Sequence, residues 1–238
     1  MKNVKHCDLS KFIEKHYPRY QIHELFQWLL DDVIADLTQS KKKNPPPAEA
    51  IPVIRDLAGL YAQAVTCADP FDDILGNVYQ ELASHGAKKW MGQYFTPMPV
   101  ARMMAKFNLM GERPNSRLIK VLEPACGSGV LLMAICQEVI ERYGKADLVN
   151  WSLTGIDLDR YCASMTAAQL LANTYIHQVS IGEIVVYRGN AFNPESCDVL
   201  LHAVSKHVEL PLPLAKAPER IEVIREALVM PKKQMGLF

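Results

Sequence analysis

Three short stretches carry residues whose types and spacing suit a polar ligand. In Glu123-Pro124-Ala125-Cys126-Gly127-Ser128-Gly129 a carboxylate precedes a turn with two glycines. Glycine lacks a Cβ, so a ligand can approach this backbone closely. Asp157 ends Trp-Ser-Leu-Thr-Gly-Ile-Asp, where an acid can accept hydrogen bonds from a pair of hydroxyls. Asn190, in Arg-Gly-Asn-Ala-Phe, offers an amide that can read the edge of a heterocycle. The turn has neither the lysine nor the glycine spacing of a phosphate loop. It also departs from Gly-x-Gly-x-x-Gly, so a dinucleotide fits it less well.

The elements that must position these residues follow from hydrophobic periodicity. Ile22, Leu25, Phe26, Leu29, Leu30, Val33, Ile34 and Leu37 recur at helical spacing. Ser-Lys-Lys-Lys-Asn-Pro-Pro-Pro then breaks the pattern as a linker or exposed turn. A second helix is expected from Ala48 to about Val65. A third carries Phe71, Ile74, Leu75, Val78, Tyr79 and Leu82 on one face, with Asp69 as its cap and Pro70 in its first turn. From Leu118 onward the pattern alternates. Leu-Ile-Lys-Val-Leu-Glu-Pro, Trp-Ser-Leu-Thr-Gly-Ile-Asp, Gly-Glu-Ile-Val-Val-Tyr-Arg and Cys-Asp-Val-Leu-Leu read as strands, with helices after the first two. Strand alternating with helix predicts a parallel sheet with right-handed crossovers.

In such a sheet, ligands sit at the carboxyl ends of the strands. The glycine turn, Asp157 and Asn190 fall at three successive strand ends. A nucleoside with a small charged tail fits that set, and S-adenosylmethionine is one. A glycine turn alone also closes ordinary strand-to-helix corners; the combination is what points to a ligand.

Glu-Pro-Ala-Cys-Gly-Ser-Gly resembles the Asp/Asn-Pro-Ala-x-Gly-Ser-Gly signature of adenine-specific DNA methyltransferases. Gly-Gln-Tyr-Phe-Thr-Pro, residues 92–97, resembles an element of the modification subunit of type I restriction systems. Asp-Ile-Leu-Gly-Asn-Val-Tyr-Gln-Glu-Leu before it and Gly-Ile-Asp-Leu-Asp after it continue the likeness, from Asp69 to Asn193. The resemblance implies a Rossmann-like α/β methyltransferase fold, with S-adenosylmethionine as cofactor. It implies that Tyr94, Phe95, Thr96 and Pro97 close over the cofactor, and that Glu123, Ala125, Gly127 and Gly129 cradle its methionine part. Asp157 would hold the ribose with Leu158 against the adenine, and Asn190 and Ala191 would lie at the adenine edge. Phe95 could equally pack in the core, and Asp157 could instead cap the next helix. DNA and modification-system subunits are the implied partners.

The same family ends its fourth strand in Asn/Asp-Pro-Pro-Tyr/Phe. The adenine amine is a poor nucleophile, because its lone pair is delocalised into the ring. The amide and a proline carbonyl accept its hydrogens, and the aromatic ring stacks on the flipped base. Here the alignment puts Ala203-Val204-Ser205-Lys206 at that place, with none of those residue types. Asn193-Pro194 lacks the second proline and the aromatic and precedes the fourth strand. Asn44-Pro45-Pro46-Pro47 follows three lysines, not a buried strand, and reads as linker. No residue is therefore assigned a catalytic role.

The remaining features set limits. Lysine and arginine number 26, aspartate and glutamate 26. This balance gives no support for direct duplex binding. No apolar run spans a membrane and no signal peptide is visible, so a cytoplasmic protein is expected. The six cysteines form no Cys-x-x-Cys pair, and no metal site is expected. The expected division is a helical segment at 1–90, a cofactor-binding domain with a shortened parallel sheet at 91–230, and an exposed tail at 231–238. Gln234, Leu237 and Phe238 in that tail resemble a peptide that docks on the DNA polymerase sliding clamp. Three functions stay open: a cofactor-binding protein of DNA modification that has lost its catalytic motif, an active methyltransferase using unrecognised or partner residues, and an interaction protein that reuses the fold.

Overall fold

The computed structural model describes residues 5–84, 95–111 and 118–205. Tyr94 and the tail residues Gln234, Leu237 and Phe238 lie outside them, as does Lys206. Four helices come first: α1 (His6–His16), α2 (Ile22–Thr38), α3 (Ile51–Cys67) and α4 (Ile74–Ser84). Then follow α5 (Met98–Asn108), β1 (Ile119–Glu123), α6 (Val130–Tyr143), β2 (Trp151–Asp157), α7 (Arg160–Ile176), β3 (Glu183–Arg188) and β4 (Asp198–Val204). Asn44–Pro47 forms part of the loop between α2 and α3, as the lysine-proline run implies.

Helix α7 joins the two halves. One side of it, Cys162, Met165, Ala168 and Ala172, packs into the core built by α1–α4. The opposite side, Ala163, Ala167, Leu170 and Leu171, packs into the core of the sheet with α5 and α6. A helix that is apolar on both sides belongs between two layers, and small residues let both layers come close. A third, smaller cluster of Ile156, Val185, Tyr187 and Ala191 covers the other sheet face.

Helix α4 starts later than its sequence suggests. Its cap is Asp73, whose Oδ1 accepts from Gly76 N at 2.9 Å, not Asp69. The cause is Phe71, which is fully buried in the sheet core while Ile74, Leu75 and Val78 enter the helical core. One straight helix cannot supply both. The chain turns instead through a positive φ of 63° at Phe71, and Phe71 N donates to Asn173 Oδ1 of α7 at 2.5 Å.

The sheet order is β1-β2-β3-β4. The first three strands are parallel, as expected. The fourth is antiparallel to β3, which corrects the expectation of a wholly parallel sheet. A parallel return needs a crossover of a dozen or more residues, and only residues 189–197, with one short turn of 3₁₀ helix, lie between β3 and β4. Buried polar groups hold this register. Glu183 Oε2 accepts from Ser152 Oγ at 2.7 Å, and His202 Nε2 lies 2.8 Å from Glu183 Oε1.

Phe26 tests the helical core. It is fully buried, and its ring meets Tyr79 edge-on at 6.0 Å. Phe26→Ala should lower the unfolding free energy by about 3–5 kcal/mol. Urea denaturation measures this; a loss below about 1 kcal/mol would show that the helical layer adds little to the fold.

Candidate functional site

The carboxyl ends of β1 and β2 lie side by side, with Glu123 paired to Gly155. Between them the chain after β1 makes its glycine turn. Cys126 N donates to Ile156 O at 2.9 Å and Gly129 N to Cys126 O at 2.7 Å. Gly127 and Gly129 both have positive φ, 55° and 93°, where other residues are strained. A Cβ on Gly127 would come within 3.1 Å of the Phe95 ring, and one on Gly129 within 3.0 Å of Thr166 Oγ1. The first glycine thus keeps the turn open beneath Phe95. The second lets α6 leave the turn tightly against α7.

Asp157 joins β2 to this turn. Its Oδ2 accepts from Gly127 N at 2.9 Å and its Oδ1 from Asp159 N at 2.8 Å. It does not cap α7; Asp159 does, by accepting from Tyr161 N at 2.7 Å. Each carboxylate oxygen keeps a second acceptor position. Burial raises the pKa of Asp157 above its ordinary value, against the lowering effect of its two backbone bonds. Burial raises Glu123 likewise, and the nearby Asp157 charge adds to the rise. Glu123 Oε1 accepts from Ala125 N at 3.1 Å and so shapes its own turn. Cys126 is buried with its thiol pushed up to about 12 by desolvation, which leaves it unreactive.

The turn and Asp157 line a cleft of about 240 Å³. Its wall is Phe95, Thr96, Ala125 to Ser128, Val130, Leu131, Asp157 and Cys162. Phe95 packs between the turn and the helical core. It lies over Gly127, and its ring centroid is 5.1 Å from that of buried Tyr79. Pro97 sits at the start of α5, with its carbonyl accepting from Val100 N and Ala101 N. Leu158 is 70% exposed beyond Asp157, with no apolar cover of its own. Asn190 follows β3, and its Oδ1 accepts from Phe192 N at 3.0 Å, which leaves Nδ2 as its outward group. Ala191 is buried in the third cluster.

Two features escape a reading of motifs. Phe192, 92% exposed beside Asn190, is a large ring held in solvent at the same end of the sheet. The sequence signal was an aromatic in a polar loop directly after a strand. Ser128 is wholly buried and points its hydroxyl away from the cleft, to Asp73. Only the fold brings Asp73 there, across 55 residues of chain.

The residues aligned with the missing catalytic motif are elsewhere. Ala203 pairs with Ile184 and Val204 with Glu183, at the amino end of β3. The glycine turn and Asp157 lie at the opposite end, roughly 17–20 Å along a six-residue strand.

The residues fit S-adenosylmethionine. Gly127 leaves open the space that a Cβ would fill beneath Phe95. The Asp157 carboxylate lines that space, matching a positively charged sulfonium and a ribose with two hydroxyls, and Glu123 ends the neighbouring strand. The family model described as N-6 DNA Methylase matches residues 70–207. A type I restriction enzyme MjaVII methylase subunit from Methanocaldococcus jannaschii is 30% identical over 126 residues, 52% of this chain and 20% of its own length. The chain therefore spans about a fifth of that relative. Among solved structures, a Listeria monocytogenes protein described as a class I S-adenosylmethionine-dependent methyltransferase aligns with 84% of this chain and 66% of its own, at 12% identity and TM-score 0.43. The type I restriction-modification methyltransferase subunit of Streptococcus thermophilus aligns with 75% of this chain and 37% of its own, at 21% identity and TM-score 0.32. The family match covers more than half of the chain, including the glycine turn, Asp157 and Asn190, and the chain belongs to the N-6 DNA methylase family, whose cofactor is S-adenosylmethionine.

Proposed function

We propose that this chain binds S-adenosylmethionine as a methylase-like component of a DNA modification system, and that its own transfer centre is incomplete. One observation carries the second half. β4 runs antiparallel, so the positions aligned with the catalytic motif sit at the end of the sheet away from the cleft.

Bound cofactor would supply an electrophilic methyl group on a positively charged sulfur. The chain's residues would bind and orient it. Asp157 would accept from the ribose hydroxyls, and Glu123 would face the methionine part. The backbone of Ala125 and Gly127, with Phe95, Thr96 and Pro97, would enclose it. Leu158 and Ala191 would flank the adenine, with Asn190 Nδ2 at its edge. Phe192 joins that group on the strength of its exposure. Tyr94 and Gly129 complete the proposed set, Gly129 by fixing the turn.

What acts on DNA is then a partner. A chain with balanced charge and no aligned amine-binding motif is suited to join a modification complex or to interfere with one. A partner that supplies the missing residues would make the same chain half of an active enzyme, and the name of the archaeal relative, a methylase subunit, favours keeping that second reading. A purely interactive protein would not need a partly desolvated carboxylate, Asp157, lining an open cleft at the glycine turn. No helix among the described residues is long and apolar enough to cross a membrane, and all six cysteines are free thiols, which suits the cytoplasm. Docking of the tail through Gln234, Leu237 and Phe238 on a sliding clamp is a separate part of the proposal and rests on the sequence alone. So does the division at residues 90 and 230.

Calorimetry with S-adenosylmethionine tests the site. Asp157→Ala should cost roughly 1.5–3 kcal/mol of binding, about ten- to a hundredfold in affinity. No heat from wild-type protein at millimolar cofactor would reject the site.

The pH dependence has a definite sign. Asp157 and Glu123 have raised pKa values, so they take up protons at a higher pH than ordinary carboxylates. Their ionised forms attract the sulfonium and accept from the ribose. Affinity should therefore fall as pH is lowered through the raised pKa values of these carboxylates, beginning at a higher pH than ordinary carboxylates would give, and recover on return. Affinity unchanged down to the pH where ordinary carboxylates protonate would argue that neither carboxylate meets the ligand.

The pure chain should transfer no labelled methyl to mixed-sequence DNA. Losing one group that stabilises a transition state costs ~10²–10³ in rate, and a whole constellation is missing. Transfer by the chain alone would overturn the incomplete-centre reading; transfer only after a partner subunit is added would establish the shared enzyme.

A further inference from the structure

The glycine turn is held from behind as well as from the cleft. Behind it lies a closed polar network between α4 and α7. Ser128 Oγ donates to Asp73 Oδ2 at 2.8 Å. Gln169 Nε2 donates to Asp73 Oδ1 at 2.8 Å and to Ser128 O at 2.9 Å. Gln169 Oε1 accepts from Leu75 N at 2.9 Å. Asn173 Nδ2 donates to Gln169 O at 2.9 Å.

Burial makes this network costly to hold. Ser128 is fully buried, Gln169 and Asn173 are 1% exposed and Asp73 is 4% exposed. A buried carboxylate is retained only with its donors in place. Asp73 has three within 3 Å: Gly76 N, Ser128 Oγ and Gln169 Nε2. Position 76 is fitted to it, since a Cβ there would lie 2.3 Å from Asp73 Oδ2. Capping α4 needs only Gly76 N. The two remaining donors tie the carboxylate to the turn, directly through Ser128 and indirectly through Gln169.

We propose that Asp73 is a positioning residue for the cofactor turn: through Ser128 and Gln169 it fixes the backbone of residues 126–129 in the shape that receives the ligand, and so makes cofactor affinity depend on the helical half of the chain. The proposal rests on the cofactor reading above. Asp73 does not line the cleft and touches no ligand. Its effect passes through Ser128, whose neighbour Gly127 is held by Asp157 on the cleft side. With the rear bond lost, Gly127 and Asp157 no longer have a fixed partner to align against.

The experiment uses the full chain and S-adenosylhomocysteine, at a temperature where circular dichroism shows every variant folded. Ser128→Ala removes the direct link, leaving the one through Gln169 to the Ser128 carbonyl, without touching the cap of α4. Asp73→Ala removes both. Asp73→Asn keeps an acceptor for Gly76 and Gln169 and offers its Nδ2 to the Ser128 hydroxyl. Ser152→Ala deletes another buried serine bond, at the far end of the sheet, and controls for general loss of stability. Ser128→Ala and Asp73→Ala should weaken binding about tenfold, Asp73→Asn by no more than about threefold, and Ser152→Ala not at all. Amide hydrogen exchange of the peptide spanning residues 124–130 should quicken in the first two variants alone. Unchanged affinity in Ser128→Ala overturns the proposal whatever the exchange shows. If wild-type protein binds no S-adenosylhomocysteine, the cofactor reading fails; exchange then decides the link by itself, and an unchanged rate at 124–130 overturns it.

Discussion

The glycine turn is clamped between two carboxylates, the half-buried Asp157 and the buried Asp73, and most of the architecture serves that clamp. Asp157 reaches Gly127 N from the end of β2. Asp73 reaches Ser128 Oγ from the start of α4. A turn with two positive-φ glycines has little stiffness of its own. Fixing it on both sides restores what the glycines lose, while the missing Cβ at Gly127 keeps the cleft open.

The clamp explains why the helical layer and the sheet are one packing problem. To reach the turn, α4 must lie on α7, and α7 must lie on the sheet. Residues 69–73 meet this demand by an irregular path that sends Phe71 into one core and Ile74 into the other. Asn173 and Gln169 accept the two backbone amides that this path leaves without helical partners, Phe71 N and Leu75 N. The polar residues inside α7 are therefore consequences of where α4 has to begin.

The opposite end of the sheet follows a different rule. A short link after β3 forces β4 to run back, and Glu183 with Ser152 and His202 secures it there. The cleft keeps the turn after β1 and the end of β2. The residues after β4 are carried away from it. Within the N-6 DNA methylase family this chain thus keeps the glycine turn and Asp157 at one cleft, while its fourth strand leaves it.

Much of this could be read from the chain itself. Alternating apolar strands and helices from Leu118, the glycine turn, Asp157 and Asn190 are local patterns. Their periods and positions follow from backbone geometry, which acts over a few residues. The apolar faces of α2 and α4 were legible for the same reason. Three matters needed the tertiary structure. The direction of β4 depended on the length of a connection relative to the sheet, not on the Cys-Asp-Val-Leu-Leu pattern, which reads alike in either direction. The start of α4 depended on two cores competing for Phe71 and Ile74, and Asp69-Pro70 is an acceptable start by local rules. The role of Asp73 depended on Ser128 and Gln169, which lie 55 and 96 residues away. Hydrophobic period and turn chemistry are written in neighbours. Buried hydrogen bonds are decided by which distant groups packing leaves without water, and that is settled only when the layers close.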